Sequence, residues 1–181
     1  TILKAERGRA VQMNKGAKEA KGDILFFLHV DCMIPRDSLE LIDREIYLQK
    51  CVGGAFKQAY SNSDTILRAV SIFGNLRTRF TRTFFGDFGI FLRKDVFQRL
   101  NGYNPTVLLE DVELCWRVKR CGRLTQIDRY IFASPRKYLS KGKARLTVLF
   151  ILACLLGTLR LRPRLLIGCM TDDPANLKRS D

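Results

Sequence analysis

Three short stretches carry side chains able to do chemistry. The first is "ILFFLHVDCMIP", Ile24 to Pro35, where an apolar run ends in the chain's only histidine, His29, and a carboxylate, Asp31. An imidazole and one carboxylate make a poor closed metal site. They make a reasonable open one for a divalent ion that takes its other ligands from water and substrate phosphates. The competing reading is that Asp31 caps the helix after Pro35 and His29 is a satisfied, half-buried polar group. The second stretch is Glu110-Asp111, at the start of a helical pattern. A carboxylate there either complements the helix N-terminus or serves as a general base toward a hydroxyl. Adjacent positions point apart on a helix, so one of the two is expected to face the site while the other caps. The third is Gly86-Asp87 between Phe84-Phe85 and Phe88, a tight turn or a binding loop.

The elements that must position these groups follow from periodicity. "RGRAVQMNKGAKEAKGD" reads as a helix, with Ala10, Met13 and Ala17 at helical spacing and Gly22-Asp23 as its stop. "ILFFLHV" is a continuous apolar run of the kind found in a central parallel strand covered on both faces. Pro35 opens a second helix, with Leu39, Ile42 and Ile46 predicted on one face. "CVGGAFKQAYS" reads as a strand whose Gly53-Gly54 pair lets a backbone or a ligand come close. Residues 62–82 read as a helix with Ile66, Leu67, Val70, Phe73 and Leu76 apolar. After the Gly86-Asp87 turn come a short strand, a short helix closed by Gly102, an amphipathic helix in "LLEDVELCWRVKRCG" and a strand in "RLTQIDRYIFA". Alternating helices and strands predict an α/β domain with a largely parallel sheet.

Composition narrows the classes. The 181 residues are 46% hydrophobic and carry a net charge of +14, enough for one core and a strong attraction to anions. Residues 136–164 hold eight basic side chains and no acid, and within them Leu146 to Leu159 run uncharged for 14 residues. A membrane-spanning helix needs roughly 20. The segment is therefore expected either to pack on the core or to lie at a membrane interface, beside anionic head groups. Six cysteines without a C-x-x-C pair exclude a zinc framework and read as buried free thiols of a reducing compartment. No P-loop, G-x-G-x-x-G or G-x-S-x-G is present. The basic residues do not alternate with aromatics in a nucleic-acid motif, so no nucleic-acid partner is expected.

Taken in order, "GRAVQMNKGAKEAKGDILFFLHVDCMIP", "VGGAF", "FFGDFGIFLRKDVFQRLNGYN" and "LLEDVELCWRVKRCGR" resemble the family 2 glycosyltransferases over about residues 5–165. The likeness is greatest to a small bacterial subgroup reading FLHAD where others read an Asp-x-Asp triplet. The resemblance implies a GT-A fold, a mainly parallel sheet flanked by helices. It implies inverting transfer from a nucleotide-diphospho-sugar to the hydroxyl of a glycan, lipid or small-molecule acceptor, assisted by Mg²⁺ or Mn²⁺. On this likeness Asp31 holds the ion, and His29 stands where the triplet has its first Asp. Asp111 is the base and Glu110 orients it or the acceptor. Arg9 and Asn14 lie near the nucleotide and its phosphates, Gly86 and Asp87 line the pocket, and Arg136 covers the diphosphate. The family's opening strand and its second, Asp-ending strand have no counterpart here, so the numbering is expected to start inside a longer protein or the nucleotide site to be incomplete. Residues 1–135 are then a partial catalytic domain, 136–170 a basic and apolar helical segment, and 171–181 a disordered tail. A cytoplasmic protein, peripheral on the inner membrane face, is expected. The alternative is a degenerate, non-catalytic relative acting as a basic membrane-surface binding module.

Overall fold

The structure is a computed structural model that describes residues 1–61, 64–107 and 109–158. In chain order the elements are α1 (Arg9–Glu19), β1 (Ile24–Phe27), β2 (Cys32–Met33), α2 (Ser38–Asp43), β3 (Gly53–Tyr60), α3 (Thr65–Thr81), β4 (Ile90–Arg93), α4 (Lys94–Arg99), α5 (Glu110–Val118), β5 (Leu124–Ala133), α6 (Arg136–Lys141) and α7 (Lys143–Thr158). A π-turn, Arg44–Leu48, continues α2, and a single 3-10 turn, Gly86–Phe88, precedes β4. The tail expected beyond residue 170 lies outside the described residues.

The five strands form one sheet in the order β1-β4-β3-β5-β2. The sheet is mixed, which corrects the expectation of a largely parallel one. β3 and β5 pair in parallel, whereas β1 with β4, β3 with β4 and β2 with β5 pair antiparallel. Alternation of helices and strands fixes that crossovers exist, not which end of the sheet each strand starts from. Here Phe27 at the end of β1 faces Ile90 at the start of β4. The Gly86–Phe88 turn therefore delivers β4 from the end where β1 finishes, and β4 runs back along it. β1 is also an edge strand among the described residues, not the central one. Its apolar run reports covered faces rather than covered edges. Leu25 belongs to a cluster with Ala10, Phe84, Leu92, Phe97 and Leu114, while Ile24 and Phe26 pack on the opposite cluster of Ile42, Ile46, Phe56, Phe91 and Ile131. Each large side chain so buried contributes about 1.5–3 kcal/mol.

Gly53 and Gly54 are close because backbone comes close. A Cβ on Gly54 would stand 2.4 Å from the Thr125 carbonyl oxygen, and one on Gly53 2.5 Å from that of Phe91. Both neighbouring strands lie tight against this pair, so the glycines serve the sheet.

One expected apolar face is redrawn, and a second helix divides its apolar residues between core and surface. Leu39 is 65% exposed, while Ile42 and Ile46 are buried as expected. On α3, capped by Asp64 accepting from the Ile66 and Leu67 N–H groups, Leu67 and Val70 are buried but Ile66, Phe73 and Leu76 point out. Helical spacing alone cannot say which of two apolar stripes faces the core. The uncharged 146–159 run does pack on the domain over its described part. Tyr138 of α6 joins Leu67 and Val70, with Leu146 and Phe150 against them. Among the described residues no helix is long and apolar enough to cross a membrane. None of the five described cysteines is in a disulfide; Cys51, Cys115 and Cys154 are buried as expected, Cys32 is half-buried and Cys121 is exposed.

Candidate active site

The antiparallel pairing of β1 and β4 builds the site. It sets the turn after β1, which carries His29 and Asp31, beside the turn before β4, which carries Gly86 and Asp87. The approach is tight: a Cβ on Gly86 would lie 2.3 Å from His29 Nε2 and 3.1 Å from Asp111 Oδ2. Only glycine lets the imidazole and this carboxylate converge on one peptide. On the other side, the Asp31 carbonyl accepts from the Ser134 N–H at 3.1 Å, tying the His29–Asp31 turn to the end of β5.

Asp111 is brought in by α5. Leu109, directly before the helix, has φ 60° and ψ 47°, left-handed values costly for a branched side chain. Glu110, Asp111 and Glu113 crowd the first turn, where the helix dipole favours acids. Asp111 does not cap its own helix, however. Its Oδ2 accepts the Gly86 backbone N–H at 2.9 Å, and its Oδ1, fully buried, has no hydrogen-bond partner. The residue is 2% exposed. Burial first, then the neighbouring Glu110 charge, pushes its carboxyl up to about 7, against the pull of Arg9 and the Gly86 N–H.

Arg9, the first residue of α1, reaches both acids from the same side of the sheet, where α1 and α5 share one core cluster. Its Nη2 is 2.6 Å from Glu110 Oε1 and 3.8 Å from Asp111 Oδ2, and its Nε donates to Glu110 Oε1 at 2.9 Å. The expectation that one acid faces the site while the other caps is thereby corrected: Glu110 and Asp111 turn to the same guanidinium, because α1 lies across the start of α5. Asp87 feels the same surroundings. Burial raises it to about 6, Arg9 and Arg77 draw it down, and the Asp31 carboxylate pushes it up.

His29, Asp31, Gly86, Asp87, Glu110, Asp111 and Arg9 therefore form one constellation. Asn14 serves differently. Its Nδ2 donates to the Tyr103 carbonyl and its Oδ1 accepts the Tyr103 N–H, each at 2.8 Å. This clamp ties α1 to the loop after α4 and so fixes the helix that carries Arg9. Arg136 stands exposed at the start of α6, its N–H donated to Ser134 Oγ at 3.3 Å.

Sequence reasoning missed three side chains around Asp87. Tyr60 at the end of β3 and Tyr138 of α6 stack edge to face at 5.2 Å, and the Asp87 charge reaches both phenols. Arg77 of α3 turns inward, donating to Thr83 and lying over the Phe85 ring at 4.7 Å. Tyr138 lies two residues past the arginine that sequence reading singled out. Only the helical phase of α6, invisible in so short a segment, distinguishes the two.

A divalent ion was expected at Asp31 and His29. Among the described residues no three His, Cys, Asp or Glu groups stand close enough to hold an ion by themselves. An ion arriving with a diphosphate needs only one or two protein carboxylates. Asp31 raising the carboxyl of Asp87 is the kind of repulsion a cation relieves. The donor set fits such an open site and does not fit a closed one.

In chemical terms, a buried carboxylate poised near neutral pH, one oxygen fixed and the other unpartnered, can accept a proton. Cationic and acidic groups around it can hold a phosphorylated partner. The chain finds no match among curated proteins. Residues 2–100 match the sequence model of Glycosyl transferase family 2. That stretch ends short of Glu110 and Asp111, which the fold joins to it through Gly86 and Arg9. With more than half of its length matched, the chain is a member of glycosyl transferase family 2.

Proposed function

We propose that the protein moves a sugar from a nucleotide-diphospho-sugar to an acceptor hydroxyl with inversion, and that Asp111 is the base. The observation that carries this reading is the state of Asp111: buried, titrating near 7, with Oδ2 held by Gly86 and Oδ1 unpartnered. A base works best when its pKa lies near the working pH. Inverting displacement needs one base, on the face away from the leaving group, and Asp111 supplies it as a single carboxylate.

The other residues take roles that fit their surroundings. Arg9 holds Glu110 and keeps a positive charge beside Asp111, which limits how far burial raises it. Through Asp111 and His29, Gly86 fixes the distance between the acceptor side and the metal side. Asp31, with His29 beside it, would hold Mg²⁺ or Mn²⁺. When bound, that ion neutralises charge on the departing nucleoside diphosphate. Asp87 and Arg136 are assigned to the donor, and Asn14 to holding α1 in position.

Calorimetry with UDP and GDP in the presence of Mn²⁺, together with transfer from a panel of nucleotide-sugars, tests the assignment. Asp111→Asn should bind nucleotide as the wild type does and lose transfer. Asp31→Ala should lose the Mn²⁺-dependent part of binding. Unchanged transfer in both variants would overturn the site.

A further inference from the structure

Helices α3 and α7 are apolar on the sides turned away from the core. On α3, Ile66, Leu76 and Phe80 are 47%, 54% and 78% exposed, and on α7, Val148 and Leu155 are 57% and 52% exposed. The α3 residues follow a 3.6-residue period. Ile66, Ala69, Phe73, Leu76 and Phe80 recur at alternating steps of three and four, opposite the buried stripe of Leu67, Val70, Gly74 and Thr78. Both stripes are therefore built into the helix. The two helices lie side by side: Phe73 meets Phe150 edge to face at 6.4 Å, and a Cβ on Gly74 would be 3.2 Å from the Phe150 ring. The surface is broad and double, not a scatter of single exposed side chains.

Charge identifies its partner. Neither α3 nor α7 contains an acidic residue. Arg68 and Arg79, both exposed, lie about 20° apart around α3, along one border of the apolar stripe. Arg145 is exposed at the start of α7, and the sequence past it adds Arg160, Arg162 and Arg164. Asp128 of β5 lies within reach of Arg79, but the helices themselves bring only bases. Apolar side chains bordered by arginines, on helices with no acid of their own, are the pattern of a helix lying in the head-group region of an anionic bilayer. A second copy of the chain would instead bring like charge against like charge.

We propose that α3 and α7 together form a docking surface for anionic lipid membranes, in which the apolar stripes enter the head-group boundary and the arginines meet lipid phosphates. The surface adjoins the site. Phe85, next to Gly86, packs on Phe150 of α7 at 5.6 Å, so docking would bring the candidate active site close to the bilayer.

Flotation of the full chain tests this, with vesicles of phosphatidylcholine alone and with about one third phosphatidylglycerol, at low and at high salt. The protein should float with the anionic vesicles and not with the neutral ones, and high salt should weaken binding. Leu76→Glu with Phe80→Glu changes only exposed side chains and should lower binding at least tenfold with an unchanged circular dichroism spectrum. Arg68→Gln and Arg79→Gln should each lower it about fivefold. Failure to float with anionic vesicles, or equal flotation of the Leu76→Glu/Phe80→Glu variant, overturns the proposal. So does a dimer by light scattering that this double variant dissociates, with no vesicle binding, for the face would then pair two copies.

Discussion

Replacing Asp111 by asparagine should stabilise the protein while removing its activity. The native carboxyl titrates near 7 against an ordinary value of 3.8, about three pH units. At about 1.4 kcal/mol per unit, ionising it in the folded state costs up to about 4 kcal/mol relative to an exposed carboxylate. Between pH 4 and 7 the native state keeps a proton that the unfolded chain releases, so stability falls as pH rises through this window and is level above it. Asparagine does not ionise and can still accept the Gly86 N–H. Its amide must occupy the place of the unpartnered Oδ1, which takes back about 1–3 kcal/mol. The net expectation at pH 8 is a gain of about 1–3 kcal/mol, or about 2–12 °C in Tm for a domain of this size. Thermal melts of both proteins at pH 4, 6 and 8 are the assay. The variant's advantage should be absent at pH 4 and full at pH 8. A variant less stable than the wild type at pH 8, or a pH-independent difference, would refute the argument, because Asp111 would then be holding the fold together.

Three further substitutions probe the supports. Gly86→Ala drives a methyl to 2.3 Å from the movable His29 ring, so a urea midpoint should register a loss of at most about 2 kcal/mol while transfer drops tenfold or more. Gly54→Ala meets the Thr125 carbonyl at 2.4 Å, where backbone must shift, and should cost about 3 kcal/mol in the same urea titration. Asn14→Ala leaves the N–H and C=O of buried Tyr103 without their partner and should cost about 1–3 kcal/mol by chemical denaturation, with Arg9 less firmly placed.

Much of the site was legible because its residues sit where chemistry is costly. A histidine and an acid at the end of an apolar run, and an acid pair opening an amphipathic helix, each have a structural use, but together they put titratable groups at element ends, where a site can form. The sequence could not show that Asp111 turns away from its own helix. That depends on Gly86 lying 25 positions earlier, and on Leu109 adopting a left-handed backbone that leucine seldom takes. Strand direction was hidden for a related reason. Periodicity reports which faces are covered, so the apolar run of Ile24 to Phe27 matches the two clusters that cover it and says nothing of the antiparallel direction of its partner β4. On α3 the apolar residues fall on two sides of the helix, and it is the side carrying Leu67 and Val70 that packs on β3. The family likeness alone sets Asn14 near the nucleotide and its phosphates. Its amide has a backbone partner 89 positions away, beyond the reach of local reading.

The most direct test of the account is the pH dependence of the transfer rate for the wild type and Asp111→Asn, using whichever nucleotide-sugar the panel identifies. The account predicts a wild-type kcat/KM that climbs with unit slope and levels off near pH 7, where Asp111 loses its proton. It predicts a variant about 10²–10⁴-fold slower and without that rise. A variant of normal rate, or one that keeps the same ascending limb, would contradict the claim that Asp111 takes the proton.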